Sequence, residues 1–342
     1  ETGEPIRLLN EHVLNGSILL ILISCTISSF VAMASAQRIA EADKEETATG
    51  ASDEDENILL AVNHEDTVGK MVNLSLLVRT QNDSHKLFAL NLINEDKSES
   101  SSKNAEKLLS TAVNLAAGAD VTLNPITRYD NNVVAGINNA GKEQNIRDLI
   151  IGLENEKGFS SSFIYNLYKG YLTNKQISVI VYHAVQPVST IKEYAVFIPA
   201  NAERENGFFH SLLKIWNLAK NSGAKMNFYA DEKTSRILTS VAKKSNIEAV
   251  YNTVRNWQDA QKTAFSLKQD EGLIILMGDR EMYPYFSKIY ELPEILNRDL
   301  NNNNYILIYP SSEENSTVSE KRSVNNLDDF AEIGKIIGKI FR

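Results

Sequence analysis

The chain has 342 residues, too long for one typical domain and suited to two. Hydrophobic residues at 43% and charged residues at 23% exclude a disordered or collagen-like chain, and a single cysteine excludes an intrachain disulfide framework and fits a reducing compartment. The net charge of −9 argues against nucleic-acid binding, which needs a basic face to displace counterions; residues 41–56, with eight acids against Lys44, carry −7 of it.

Residues 1–12 hold Glu1, Glu4 and Glu11 against Arg7, and they precede a run from Val13 to Gln37 without a charged side chain. That length is enough to cross a bilayer core of roughly 30 Å as a helix. Ala34-Ser35-Ala36 has the form of a leader cleavage site, and Leu22-Ile23-Ser24-Cys25 that of a lipidation site. Both of those readings need a basic leader, which the acidic flank does not supply. Ser24, Ser28, Ala32 and Ala36 fall at i+4 spacing, a small-residue face suited to helix packing in lipid. We expect a transmembrane helix at 13–37 after an extracytoplasmic loop at 1–12, followed by an acidic linker at 38–56. Because the sequence opens on Glu1 rather than Met, we read it as a piece of something longer or a processed product.

Beyond the linker, short apolar runs alternate with helical periodicity. The first series has strands at 57–63, 87–93, 121–126, 148–153 and 177–182, with helices at 65–79, 104–117, 131–141 and 163–172 between them. The second has strands at 194–198, 225–229, 247–251, 273–278 and 305–309, with helices at 207–218, 233–243 and 257–267. Continuous apolar strands separated by helices predict parallel pairing with right-handed crossovers. Leu149-Ile150-Ile151 in the first series matches Leu273-Ile274-Ile275 in the second. The fold class expected is therefore α/β, with two tandem five-stranded parallel-sheet domains at 57–190 and 191–312. Ile177 to Tyr182 and Tyr305 to Tyr309 are apolar and charge-free, so we expect these two edges to cover one another. Residues 313–342 read as a polar tail and an amphipathic helix from Leu327 to Arg342.

Chemistry is sparse. His12, His64, His85, His183 and His210 have no metal-ligand spacing, and Cys25 lies within the apolar run. Gly69-Lys70 lacks the rest of a phosphate loop, and neither G-x-G-x-x-G nor G-x-S-x-G occurs. We expect no catalytic residue, no metal and no enzyme activity. One ligand position is worth marking: the switch point of a doubly wound sheet, where Asn63-His64 after the first strand would face Gly152 after the fourth.

A tandem repeat of this strand pattern resembles the universal stress protein fold. More specifically, the chain resembles the C-terminal part of bacterial sodium/proton antiporters of the monovalent cation:proton antiporter-2 type, as in Bacteroides-like bacteria. Leu14-Asn15-Gly16-Ser17 and Ser24-Cys25-Thr26-Ile27-Ser28-Ser29-Phe30-Val31 resemble that family's last membrane helix. Glu205-Asn206-Gly207-Phe208-Phe209, Asn227-Phe228-Tyr229-Ala230 and Glu291-Leu292-Pro293-Glu294 resemble its second soluble unit. The resemblance covers residues 10–312. It implies an upstream membrane domain carrying the transport residues, a bacterial inner-membrane location with cytoplasmic soluble domains, and a homodimer as one assembly. Nucleotide-binding universal stress proteins carry an acid after strand one and a G-x-x-G-x9-G-Ser/Thr run after strand four. Here Asn63 replaces the acid, and Asn155 and Tyr165 stand where glycines belong. Without them the backbone loses its close approach to phosphate, so no cofactor is expected. If a nucleotide binds, Asn63 and Gly152 are the contacts; the alternative function is then a membrane-anchored, nucleotide-binding universal stress protein.

Overall fold

The computed structural model describes residues 57–80, 85–93, 99–153, 177–205, 207–242, 248–254, 266–277 and 300–311, with Leu19, Ile21, Lys262 and Leu296 as isolated positions. It divides into units Glu1–Glu54 and Asp55–Arg342. In the first, Leu19 and Ile21 are helical and exposed. The rest of the expected transmembrane segment, the acidic linker, the helix at 163–172, residues 257–265 of the helix at 257–267 (Lys262 apart) and the C-terminal tail lie outside the described residues; Ser266 and Leu267 are described and are not helical. Among the described residues no helix is long and apolar enough to cross a membrane.

The second unit holds the α/β body. Its first half runs β1 (Asn57–Ala61), α1 (Glu65–Val78), β2 (Leu87–Ile93), α2 (Glu99–Ala117), β3 (Leu123–Tyr129), α3 (Val133–Glu143), β4 (Ile146–Gly152) and β5 (Ser178–His183). The second runs β6 (Glu193–Phe197), α4 (Phe208–Ser222), β7 (Lys225–Ala230), α5 (Glu232–Ala242), β8 (Ala249–Thr253), β9 (Glu271–Leu276) and β10 (Tyr305–Tyr309). The two five-stranded sheets expected from the sequence are joined as one ten-stranded sheet, in the order β3-β2-β1-β4-β5-β10-β9-β6-β7-β8. Each half repeats the order 3-2-1-4-5 of a doubly wound sheet, with parallel pairing throughout. The junction alone is antiparallel, β5 against β10, with Val181 opposite Leu307 and His183 opposite Tyr305. These are the two apolar edges that the sequence required to be covered.

Burial follows position in the sheet. β1, β5 and β10 are buried along their whole length, whereas β3 at the outer edge alternates. Pro125 sits in that edge strand, where its missing N–H deprives no outer neighbour of a hydrogen bond. Both halves contribute to both cores. Ile58, Val72, Val196 and Trp216 share the core on one face, and Leu59, Val179, Leu273 and Tyr305 the core on the other.

Side-chain amides reinforce the junction. Asn304, fully buried ahead of β10, accepts from the backbone N–H groups of Val185 (2.8 Å) and Gln186 (3.1 Å) and donates to the Gln186 carbonyl (2.8 Å). Helices α1 and α4 pack across the halves. The last turn of α1 leaves carbonyls without intrahelical donors. Asn217 and Asn221 of α4 donate to two of them, Val78 O at 3.0 Å and Leu77 O at 2.8 Å.

Candidate functional site

At the switch point, Ala61 of β1 pairs with Ile151 of β4, so Asn63 and Gly152 follow at the ends of neighbouring strands. Gly152 ends β4 beneath α1, and a Cβ there would lie 2.8 Å from Thr67 Cβ and 3.0 Å from Met71 Cγ. The glycine serves the close approach of helix to sheet, and Thr67 and Met71 occupy the space above it. Asn63 is exposed and lines a cleft at the carboxyl ends of β1, β2 and β3.

That cleft has a volume of about 360 Å³. Asn63, His64, Asn91, Asn104, Asp130 and Asn131 supply its polar lining. Asn91 is held from below by its own Nδ2, which donates to Val62 O at 2.6 Å. The α3 wall is fixed by Asn132, whose Oδ1 accepts from the N–H groups of Val134 (3.0 Å) and Ala135 (3.1 Å) as an N-cap. Among the described residues no lysine or arginine lines the cleft, and Asp130 adds negative charge. Such a lining suits an uncharged polar group, such as a base or a sugar, better than a phosphate.

At the corresponding corner of the second half, the described loop reaches across to α5. After β6, residues 198–207 include a 3-10 turn at Ala202–Arg204, and Glu203 turns its carboxylate inward. Lys233 Nζ lies 2.7 Å from Oε1, and Thr234 Oγ1 donates to Oε2 at 3.0 Å, both from the first turn of α5. Asp231 Oδ1 caps the same turn through Thr234 N at 2.7 Å. Gly207 permits this loop to close, because a Cβ would collide with the backbone of Ser311 beyond β10.

A buried charge cluster among the described residues joins the halves. Asp148, in β4, has no exposed side-chain surface. His210 Nε2 donates to its Oδ1 at 2.8 Å, and Lys214 Nζ lies 2.9 Å from its Oδ2; both belong to α4. Burial alone would push the carboxyl up, but the His210 and Lys214 charges overrule it and hold Asp148 at about 2. Sequence reading placed Asp148 in a buried strand without its partners, which are more than sixty residues away. The other described histidines are also dispersed. His183 stacks on Tyr305 across the junction, ring centroids 4.7 Å apart, and burial lowers its pKa; His85 lines a separate cavity. No group of three or more His, Cys, Asp or Glu among the described residues is placed to hold a metal.

No protein-family model matches the sequence, and no curated protein sequence is significantly similar to it. Solved structures are similar in fold. The cytoplasmic domain of a prokaryotic cation chloride cotransporter is 12% identical, with 76% of this chain and 97% of that one covered, at a TM-score of 0.47. A universal stress protein from Archaeoglobus fulgidus DSM 4304 is 15% identical, with 75% and 97% covered, at 0.49. A functionally unknown protein from Pseudomonas aeruginosa PAO1 is 11% identical, with 85% and 99% covered, at 0.50. The class defined by the fold is a mostly parallel α/β module of two doubly wound halves sharing one sheet. A universal stress protein is among its structural neighbours.

Proposed function

We propose that this chain is the last membrane helix and the attached regulatory or assembly module of a bacterial cation/proton antiporter, with sodium the ion implied by the resemblance. In this reading 13–37 crosses the inner membrane, residues 57–312 are cytoplasmic, and the transport residues belong to a membrane domain upstream. The module partners that domain and the bilayer, with a homodimer as the assembly, and it is neither an enzyme nor a nucleic-acid binder. The observation that carries the regulatory part is the fusion itself. Two doubly wound halves share one sheet and both cores, and Gly152 at the first switch point lies under Thr67 and Met71. That suits a rigid body transmitting position better than a cleft converging reactive groups. The membrane assignment rests on the charge-free run at 13–37, its acidic flank and its small-residue face, together with the sequence resemblance at 14–31.

The test is cation/proton exchange in vesicles by the whole transporter, with and without residues 57–342. Removal of the module should change transport rate, ion affinity, pH response or assembly. Unchanged values for all four would sink the reading.

The cleft at Asn63 favours one alternative, a membrane-anchored universal stress protein that binds a nucleotide through its uncharged part. Calorimetry of the chain with ATP, ADP, AMP and adenosine separates the two. Micromolar binding lost in Asn63→Ala would favour the alternative; the antiporter reading expects none of that strength.

A further inference from the structure

We infer a second ligand site, for a phosphate monoester, at the opposite edge of the first half from the Asn63 cleft. A cavity of about 470 Å³ opens where β2, β3 and β4 begin, lined by Arg79, His85, Lys86, Asp120, Asn124 and Gln144. Three features of the described residues point to an anion.

The first is charge left over. In this acidic protein the described cations are commonly paired: Lys107 with Glu65, Arg128 with Glu143, Lys192 with Asp270, Lys214 with Asp148 and Lys233 with Glu203. Among the described residues neither Arg79 nor Lys86 has an ion-pair partner, although Asp120 lines the same cavity. Helix polarity accounts for a cation just past the end of α1, where Arg79 stands. It does not account for a second one, Lys86, lining the same space.

The second is a fixed frame. Asn57, buried at the start of β1, ties two walls together: its Nδ2 donates to Gln144 O at 2.8 Å and its Oδ1 accepts from Lys86 N at 3.0 Å. Asn124 Nδ2 donates to Leu87 O at 3.2 Å, and Arg79 N to Ser75 O at 3.1 Å. The backbones bearing both cations are therefore set before any ligand arrives, which lowers the ordering cost of binding.

The third is chemistry. A guanidinium presents paired N–H donors that match two phosphate oxygens, and an ammonium adds a point charge. Thr122 and the Gln144 amide lie on the same lining and suit the organic part of an ester. The size admits a small phosphorylated metabolite or the headgroup of a phosphatidic-acid-type lipid. This site is independent of the transporter reading, and its failure would leave that reading untouched.

The test uses the full 342-residue chain in mild detergent. Calorimetry with glycerol 3-phosphate, against glycerol, should show one site per chain for the ester alone. Short-chain phosphatidic acid, against short-chain phosphatidylcholine, reports the lipid source: binding of the lipid phosphate but not the free ester assigns a headgroup, and the reverse a soluble metabolite. Arg79→Gln should weaken binding about tenfold, and the double variant with Lys86→Gln should abolish it. Arg79→Lys, retaining charge without the fork, should fall between. Lys86→Gln changes one exposed side chain and carries the test even if the Arg79 variants do not fold. Three results would overturn the site: no binding of either phosphate by the unmodified chain, wild-type affinity in Lys86→Gln, or equal weakening by Lys142→Gln on α3.

Discussion

In the first half, β1 passes into α1 through residues 62–64, and the corner beside that connection is an open polar cleft. In the second, β6 passes into α4 through residues 198–207, and the extra length delivers Glu203 to Lys233 and Thr234. A second contrast lies at the foot of the sheet. Asp148 stands beside Ile58 in the first half; at the matching register of the second, Gly272 stands beside Tyr194, whose ring covers the glycine. The first half thus uses a buried charge to hold its neighbour, and the second ties its first loop to α5. The same strand order supports one half with an open polar cleft and another whose corner carries a buried ion pair. Sequence repetition does not reveal which is which, because the difference lies in loop length and in single side chains.

Four measurements would break or sharpen that contrast. The largest effect is expected at the asymmetric charge: Asp148→Asn leaves the buried Lys214 ammonium without its carboxylate and should cost about 3–5 kcal/mol in urea unfolding. A loss within the usual surface range, below about 0.5 kcal/mol, would mean that the cluster does not hold the halves together. Next is Asn304→Leu, which strips two backbone N–H groups of their acceptor at the junction. We expect a loss of about 2–3 kcal/mol, read as a lower melting temperature of the whole body.

Acid should act on the same charge. The folded carboxyl, at about 2, lies below the ordinary aspartate value near 3.9. Its contribution is complete above the unfolded value and disappears as pH falls from about 4 to about 2. That is on the order of 2 kcal/mol, visible as a falling urea midpoint and missing from the Asp148→Asn profile. The smallest effect compares two corner ion pairs. Lys233→Met should cost about 1–2 kcal/mol, because the Glu203 carboxylate is 1% exposed while Lys233 itself is half exposed. Lys107→Met, breaking an exposed pair with Glu65 at 3.0 Å, should change stability by under about 0.5 kcal/mol. Equal losses would remove the distinction between a corner pair with a buried carboxylate and an exposed one.

Much of the fold was legible because buried parallel strands are written as uninterrupted apolar runs. Asn57-Ile58-Leu59-Leu60-Ala61 and Tyr305-Ile306-Leu307-Ile308-Tyr309 needed no tertiary context. Element limits shifted where that signal faded. Helix α2 begins at Glu99, not at 104, because its Ser-rich first turn has no apolar spacing. Strand β3 occupies Leu123–Tyr129, later than the 121–126 expected, because an edge strand alternates and leaves Thr127 and Tyr129 exposed. The site was less legible. Gly152 looked like the start of a phosphate loop, and only packing identifies it as a seat for α1. Lys214 lies within an apolar stretch of α4, which marks it as unusual, but nothing local names Asp148 as its partner.

The antiparallel β5–β10 junction has a consequence for how the module can vary. A pair of identical subunits meeting along such an edge would dissociate on dilution, and each substitution would appear twice, on both sides of the axis. Here both edges belong to one chain, so the second contact forms at an effective concentration set by the intervening segment, whatever the amount of protein present. Away from the shared cores, the α1–α4 contacts and the Asp148 cluster, each half is then free to change alone, provided that the junction register is kept. Substitutions on β3 and β8, the two outer strands, need no matching change in a counterpart.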